Sequence, residues 1–357
     1  MLIHLSSALT EALKYDISHT EAVVQALQNI AQSRYQGDHV VTADNGVLEP
    51  VILSLALNQN TRRVFSKINS EQAQIGTLRN QLSTYIEISR IRGDISVVNI
   101  DGISVIQIPL IRFERNDIIQ PTFFITENLL DCKFYMHIAS WFSKRHSGGR
   151  LPSKLSAVYC PGGGDTTETL LGHHSSNQRY LTLCITDSDQ KFPGSVFGET
   201  TKKCIKLNLT ELSHHVTLPT RSVENLIGHS QILTILNAEK GRKTLLPRAA
   251  RLTRIIGSEA WKHFHVKDGV LEIHGPSQPG TENFYWRSIA TLAESEASNI
   301  DGYLFPPISS KLLLWVVEHL DSNDPDDFSS DRQLLDIWKE LAKLITSWTC
   351  GSEPIRV

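Results

Sequence analysis

The hydrophobic pattern of the first third of the chain predicts helices followed by a hairpin. Apolar residues recur at helical spacing over residues 6–33, with a break near 16–19, and a polar run of helical character covers residues 61–90. Two β-branched runs, 95–100 and 103–108, flank Asp101-Gly102, a dipeptide typical of a two-residue hairpin. We therefore expect an N-terminal α+β module over residues 1–117.

From residue 118 onward the pattern changes to short apolar strands that alternate with helices. The predicted strands cover residues 122–126, 156–160, 179–186 and 214–219, and the helices between them cover 129–142, 166–171 and 198–207. Such alternation is typical of an α/β fold with a mostly parallel sheet flanked by helices. We predict this domain over residues 118–236. A mainly helical region, 237–357, follows, with helices at 312–320 and 333–348 and a polar linker at 321–331.

Acidic residues follow two of the predicted strands. Glu127 comes directly after the first strand, and Asp187 and Asp189 end the third, spaced so that a strand would place both on one face. Because parallel strands joined by right-handed crossovers end at the same edge, we expect these residues to converge there. Clustered carboxylates repel one another unless a cation such as Mg²⁺ lies between them. For the Asp-Ser-Asp motif taken alone, a solvated strand end is the simpler interpretation.

A glycine run and a lysine lie close to these acids in the sequence. Gly162, Gly163 and Gly164 follow the second predicted strand, and glycines let a backbone pass close to a phosphate. Asp165 is placed to cap the helix that comes next. Lys191, just beyond Asp189, either stabilises the charge of a transition state or balances the acids.

The charge balance limits how the chain can contact nucleic acid. The 357 residues carry a formal net charge of −3, which excludes a broadly basic surface and leaves only local patches. The densest positive stretch, residues 240–254, includes Arg248 and Arg251. Such a stretch either neutralises phosphates or forms a solvated helix face, and the sequence favours neither.

The cysteines and histidines show no metal-binding spacing. The five cysteines are scattered without a CxxC pair, which predicts buried free thiols in a reducing compartment. Adjacent histidines, as in His173-His174 and His214-His215, point apart, and no partner has structural-zinc spacing, so we expect no zinc site. The N-terminus lacks a basic signal region and no apolar run reaches roughly 18 residues, which predicts a cytoplasmic protein without a membrane span.

The ordered series of Glu127, the glycine run and Asp187-Ser188-Asp189, each after a strand, resembles the Toprim domain. This domain is the metal-binding catalytic unit of topoisomerases, bacterial primases, RNA maturases and nucleases of the overcoming-lysogenization-defect type. Residues 127–131, ENLLD, are similar to the family's first motif, in which an Asp comes four residues after the Glu. Residues 221–226, RSVENL, are similar to the R-x-[IV]-E-N segment of nuclease-type members and contain Glu224. The resemblance covers residues 120–227.

The resemblance implies a nuclease that hydrolyses phosphodiester bonds of DNA or RNA, tRNA included, with Mg²⁺ or Mn²⁺ as cofactor. It implies Asp187 and Asp189 as metal ligands, Glu127 as ligand or general base, and Glu224 as a further acid near the metal. It also implies a bacterial antiviral defence effector, in which a partner ATPase or another defence-system protein acts with this chain, because no GxxxxGK[ST] motif is present. An oligomer is compatible with this role. The alternative is a catalytically inactive Toprim-like scaffold that binds nucleic acid or protein.

Overall fold

The computed structural model describes residues 1–15, 20–145, 154–272, 278–292, 302–322 and 332–355. The predicted helix break at 16–19 and residues 323–331 of the predicted linker lie outside the described residues. Within these ranges the chain is a mixed α/β protein with two mostly parallel sheets flanked by helices.

The first sheet contains five strands in the order β2-β1-β3-β5-β4. Its strands are β1 (Leu2–Leu5), β2 (Val40–Ala43), β3 (Thr84–Ile88), β4 (Ser96–Ile100) and β5 (Ile103–Gln107). Only β4 is antiparallel to its neighbour. The helices of this part are α1 (Ser7–Tyr15), α2 (Thr20–Gln36), α3 (Leu48–Ser54) and α4 (Gln59–Ile75). The predicted α+β module is therefore built on a mostly parallel sheet.

Two predictions for this region have different outcomes. The hairpin at Asp101-Gly102 is confirmed, because both residues have positive φ (51° and 81°) as a type I′ turn requires. The helical run predicted over 61–90 is wrong beyond Ile75, where α4 ends, since Thr84–Ile88 forms the central strand β3. Alternating β-branched side chains that are buried in this segment favour the extended chain over the helix.

The second sheet contains four strands, all parallel, in the order β7-β6-β8-β9. They are β6 (Thr122–Thr126), β7 (Ala157–Pro161), β8 (Thr182–Thr186) and β9 (Ser213–Thr217). The helices between them are α5 (Leu129–Arg145), α6 (Thr167–Asn177) and α7 (Glu199–Ile205). The predicted parallel sheet is confirmed. Its strand order reverses between β6 and β8, which makes the carboxyl ends of these two strands the expected ligand crevice.

The remaining chain is mainly helical. It contains a 3₁₀ turn at Val223–Leu226, α8 (His229–Ala238), α9 (Leu246–Leu252), α10 (Glu282–Leu292), α11 (Leu312–Ser322) and α12 (Arg332–Thr349). Two short strands, β10 (Val270–Leu271) and β11 (Tyr303–Phe305), pair antiparallel. No helix in the described ranges is both long and apolar enough to cross a membrane.

One continuous hydrophobic core joins all three predicted regions. The last helix, α12, packs on α5, and the Trp348 carbonyl accepts a hydrogen bond from the Thr122 hydroxyl (2.5 Å) at the start of β6. On the other side, the Ser347 hydroxyl accepts from the Ser83 amide (2.8 Å), next to β3. The C-terminal helix therefore fixes the second sheet against the first.

Candidate metal centre

The candidate metal centre lies at the strand-order reversal of the second sheet. Glu127 directly follows β6 and Asp187 directly follows β8, and these two strands are neighbours. Burial raises the pKa of Glu127 to about 7, and the negative charges of Asp189, Asp131 and Glu224 add to the shift. The predicted acids therefore lie close enough to act on one another electrostatically.

Two carboxylate oxygens of the cluster are buried without a hydrogen-bond partner. They are Oε1 of Glu127 and Oε2 of Glu224. Glu224 is only 2% exposed, and its other oxygen, Oε1, lies 2.9 Å from the Lys267 Nζ. An unsatisfied buried polar atom costs about 1–3 kcal/mol, so natural proteins retain one mainly where a ligand or a reaction uses it.

Asp187 is held in place by a backbone amide and a side-chain hydroxyl from two other elements. Its Oδ1 accepts a hydrogen bond from the Val223 amide (3.1 Å), and its carbonyl oxygen accepts one from the Thr201 hydroxyl (2.5 Å). Burial, followed by the charges of Glu127 and Asp131, raises the pKa of Asp187 well above its usual range. In the absence of a cation the cluster therefore retains protons.

Asp189 is positioned by a turn, because β8 ends at Thr186 and the same-face spacing of a strand does not extend to residue 189. Asp189 has a φ of 54°, and its amide donates to the Arg221 carbonyl (2.9 Å). Its side chain lies over Gly198, where a Cβ would come within 2.1 Å of Oδ2. A glycine at this position therefore allows Asp189 to adopt its orientation.

Asp131 and Lys267 complete the cluster and had no role assigned from the sequence. Asp131 is 5% exposed, its Oδ2 accepts from the Asn128 amide (2.9 Å) at the start of α5, and burial raises its pKa to about 6. Its place in the ENLLD motif was the available signal. Lys267 comes from a distant part of the chain, and no local pattern marks it. Burial works against its charge, but Glu224, Asp187 and Asp131 outweigh burial and raise its pKa.

The acidic groups of this cluster outnumber its positive side chains. Five residues supply the carboxyl groups: Glu127, Asp131, Asp187, Asp189 and Glu224. Lys267 acts on four of them, and the guanidinium of Arg221 acts on the fifth, Asp189. Hard divalent cations take oxygen ligands, and carboxylates are the ones they bind most strongly. The buried, unpartnered oxygens and the excess of acid suit the charge of Mg²⁺ or Mn²⁺, although among the described residues no three of these carboxylates offer oxygens that all lie within 4.8 Å of one another.

The glycine run supports the end of β6. The Gly162 amide donates to the Thr126 carbonyl (2.7 Å), and the Gly163 amide donates to the Glu127 carbonyl (2.9 Å). These two amides therefore help to position Glu127. The Gly164 amide makes no such hydrogen bond to Thr126 or Glu127. Asp165 does not cap α6 as predicted, because Thr166 occupies the N-cap position without a side-chain cap bond.

The predicted basic residues lie on other elements. Lys191 forms an ion pair with Glu282 of α10 (3.2 Å), so its charge is balanced there. Arg248 and Arg251 lie on α9 and are half-buried. Within the same stretch, Arg242 is mostly buried, lies 2.7 Å from Glu239 and stacks over Trp315 at 4.6 Å. The basic stretch is therefore partly structural rather than one solvated face.

Comparisons with protein-family models, curated proteins and solved structures found no match to this chain. The fold and the acidic cluster are therefore the basis for assigning a function. They define a mixed α/β protein with an oxygen-rich candidate metal centre at the strand-order reversal of a parallel sheet.

Proposed function

We propose that this protein is a divalent-metal-dependent nuclease of the Toprim type that hydrolyses phosphodiester bonds of DNA or RNA. The observation that carries the proposal is a pair of buried carboxylate oxygens without a hydrogen-bond partner, one on Glu127 and one on Glu224, both close to Asp187. Glu127 follows β6, and Glu224 lies in the 3₁₀ turn whose Val223 amide contacts Asp187. Both positions support the same assignment.

The candidate ligands are Glu127, Asp187 and Asp189, with Glu224 as a further acid. Val223 occupies Oδ1 of Asp187, so its Oδ2 is the oxygen open to a cation. A bound Mg²⁺ or Mn²⁺ would neutralise charge on the scissile phosphate and make water a better nucleophile at neutral pH. Lys267 holds Glu224 in place and reduces the net negative charge that an approaching phosphate meets.

Glu127 is also suited to proton transfer. A general base works best when its pKa lies near the operating pH, and the pKa of Glu127 is about 7. Its backbone is fixed by the Gly163 amide, which holds the carboxyl group at the end of β6.

A cleft of about 610 Å³ connects the loop beyond Asp189 with the basic stretch. Pro193 lines it from the loop and Arg254 lines it from the stretch. Neither Arg248 nor Arg251 lines this cleft, so these two residues belong to the proposed contact with nucleic acid phosphates through the sequence pattern alone. The defence setting and a partner ATPase or other defence-system protein belong to the proposal through the resemblance alone, and the cytoplasmic location belongs to it through the sequence pattern.

The test is cleavage of labelled DNA and tRNA by the purified protein with Mg²⁺ or Mn²⁺. We expect cleavage by the wild type and its loss in Glu127→Gln and Asp187→Asn, whereas Asp165→Asn, which removes an exposed carboxylate in the glycine turn, should cleave normally. Equal cleavage by all four proteins would contradict the proposed site. Binding of nucleic acid without cleavage by the wild type would support the scaffold alternative instead.

A further inference from the structure

A second cluster of metal-ligating side chains lies on the opposite face of β8. The ligand atoms of Cys184, Cys204 and His215 all lie within 4.8 Å of one another. Cys184 is on β8, His215 is its direct neighbour on β9, and Cys204 comes from α7. The fold brings together donors that no short sequence spacing links, so the spacing argument by which we expected no zinc site does not cover this cluster.

We propose that Cys184, Cys204 and His215 form a structural site for a soft divalent cation of the zinc class, distinct from the acidic centre. Two thiolates and an imidazole are donors that zinc prefers, and they are poor ligands for Mg²⁺. Tetrahedral coordination places donor atoms roughly 3.5–4 Å apart, so the observed cluster needs only small side-chain rotations to close on the ion. Water or a nearby hydroxyl group supplies the fourth ligand.

The surroundings of the cluster match a closed structural site. Cys184 and Cys204 are both almost fully buried and pack with Ile125 and Leu171 in a small apolar cluster. A hydrogen bond between the two thiols is the largest cause that raises the pKa of Cys184 and lowers that of Cys204. Burial lowers the pKa of His215 to about 4, so its imidazole is neutral and retains a lone pair at neutral pH.

Hydroxyl groups orient the histidine of the cluster. The Nε2 atom of His215 lies 2.9 Å from the Thr186 Oγ1, which in turn lies 2.6 Å from the Thr201 Oγ1. An imidazole that donates from Nε2 to Thr186 keeps its lone pair on Nδ1, the nitrogen that can then bind a metal, and hydrogen bonds of this kind commonly orient a ligating histidine. His214 points the other way and stacks on Trp348, so only His215 belongs to the cluster.

The site would hold together the elements that position the acidic centre. Cys184 lies on β8, which ends immediately before Asp187, and α7 carries both Cys204 and the Thr201 hydroxyl that contacts the Asp187 carbonyl. The Gly198 amide, at the start of α7, donates to the Ser188 carbonyl (2.9 Å). A cation bound by β8, β9 and α7 therefore acts as a cross-link behind the acids.

The experiment measures zinc content and cobalt spectra of full-length protein purified without a metal-affinity tag. We expect about one zinc per chain. Cobalt substitution should give a thiolate-to-cobalt charge-transfer band and the intense visible bands of tetrahedral cobalt. Cys204→Ser and His215→Gln should lose at least about 10-fold in affinity for zinc. Cys160→Ser, which replaces a half-buried thiol on β7, should bind zinc as the wild type does. A wild type without zinc and without a thiolate–cobalt band would overturn the site.

Two further measurements keep this outcome separate from folding defects and from the proposed nuclease. Asp187→Asn should keep its zinc while it loses cleavage, so the two proposals can fail independently. Thiol titration of the denatured wild type without reductant should find all five cysteines reactive after zinc removal. Two fewer reactive thiols would reveal a Cys184–Cys204 disulfide and contradict metal binding.

Discussion

Both sheets contain a strand-order reversal, but the acidic residues near the two reversals have opposite surroundings. In each sheet one strand lies between the next two strands of the chain: β1 between β2 and β3, and β6 between β7 and β8. Asp44 follows β2, next to the first reversal, and it accepts a hydrogen bond from the Ser7 amide (2.8 Å) and lies 3.1 Å from His4 and 3.4 Å from Arg79. At the second, Glu127 retains a buried oxygen without a partner.

The pKa shifts follow this difference in partners. Burial opposes the charge of Asp44, but the Ser7 amide, then His4 and Arg79, outweigh burial and lower its pKa. Glu127 lacks such donors, and its pKa is about 7. The first sheet therefore satisfies its acid with its own donors, whereas the second leaves a place for a cation. Proteins retain such locally unfavourable arrangements mainly at functional sites.

The largest expected effect comes from removing one carboxylate at each reversal. Asp187→Asn should lower the cleavage rate by more than about 100-fold, because it removes a metal ligand. Asp44→Asn should leave the rate nearly unchanged and lower the free energy of unfolding by about 1–2 kcal/mol, because it weakens a satisfied network. Initial cleavage rates and denaturant unfolding of both variants check this. A comparable rate loss in both would remove the functional contrast between the sheets.

The second prediction concerns the pH dependence of stability without added Mg²⁺ or Mn²⁺. Glu127 has a pKa of about 7 in the folded protein, above its ordinary value of 4.5. Between these values the folded state holds a proton that the unfolded state has lost, so stability should fall as pH rises, by up to about 3 kcal/mol. Glu127→Gln should flatten this slope. Asp44, with its lowered pKa, contributes stability that is present above its unfolded pKa and is lost as pH falls through its folded pKa.

Unfolding curves over a pH series measure both slopes. An unchanged slope in Glu127→Gln would show that this carboxyl group titrates normally. For cation binding the sign is the reverse, because the cation displaces the proton: affinity for Mg²⁺ should rise with pH up to about 7.

The elements that the sequence predicted well are those whose boundaries have local causes. Strand β6 was predicted to the residue because an apolar run ends at Glu127. The end of β8 was predicted because its run ends at Asp187, but its predicted start at residue 179 lies three residues before Thr182. The four-residue strands β1 and β2 are fully buried, and so short an apolar run has no period that separates strand from helix. Tertiary pairing decides such segments.

The same distinction applies to the sites. Strand order grouped Glu127 with Asp187, and the resemblance of residues 221–226 added Glu224. Lys267 and the Cys184–His215 pair come together only through long-range packing, which spacing rules do not describe. The cap predicted at Asp165 failed because Gly163 and Gly164 turn with positive φ and the helix begins later.

The third prediction tests whether the basic stretch at 240–254, and not the first region, contacts nucleic acid. Arg248→Glu combined with Arg251→Glu should weaken binding about 10-fold and reduce the slope of log affinity against log salt by about 2. The matched change in the first region is Arg62→Glu with Arg63→Glu on α4, which should leave binding unchanged. Fluorescence anisotropy over a salt series measures both. Equal losses would indicate general electrostatics rather than a binding surface.

The smallest expected effect concerns the one lysine of the acidic cluster. Lys267→Met removes a positive charge beside Glu224, so the cluster becomes more acidic and should bind Mg²⁺ a few-fold more tightly, about 1 kcal/mol. Lys191→Met, whose partner is Glu282, should leave affinity unchanged. Isothermal titration calorimetry separates these results. Weaker binding in Lys267→Met would mean that the lysine supports the site rather than opposing the cation.

The most direct measurement is anomalous X-ray diffraction from crystals of the full chain grown with Mn²⁺. We expect one manganese peak between Glu127 and Asp187, at the strand-order reversal of the second sheet, and none beside Asp44, next to the reversal of the first sheet. Absence of manganese at Glu127 and Asp187 in crystals that contain it elsewhere would contradict the proposed metal centre.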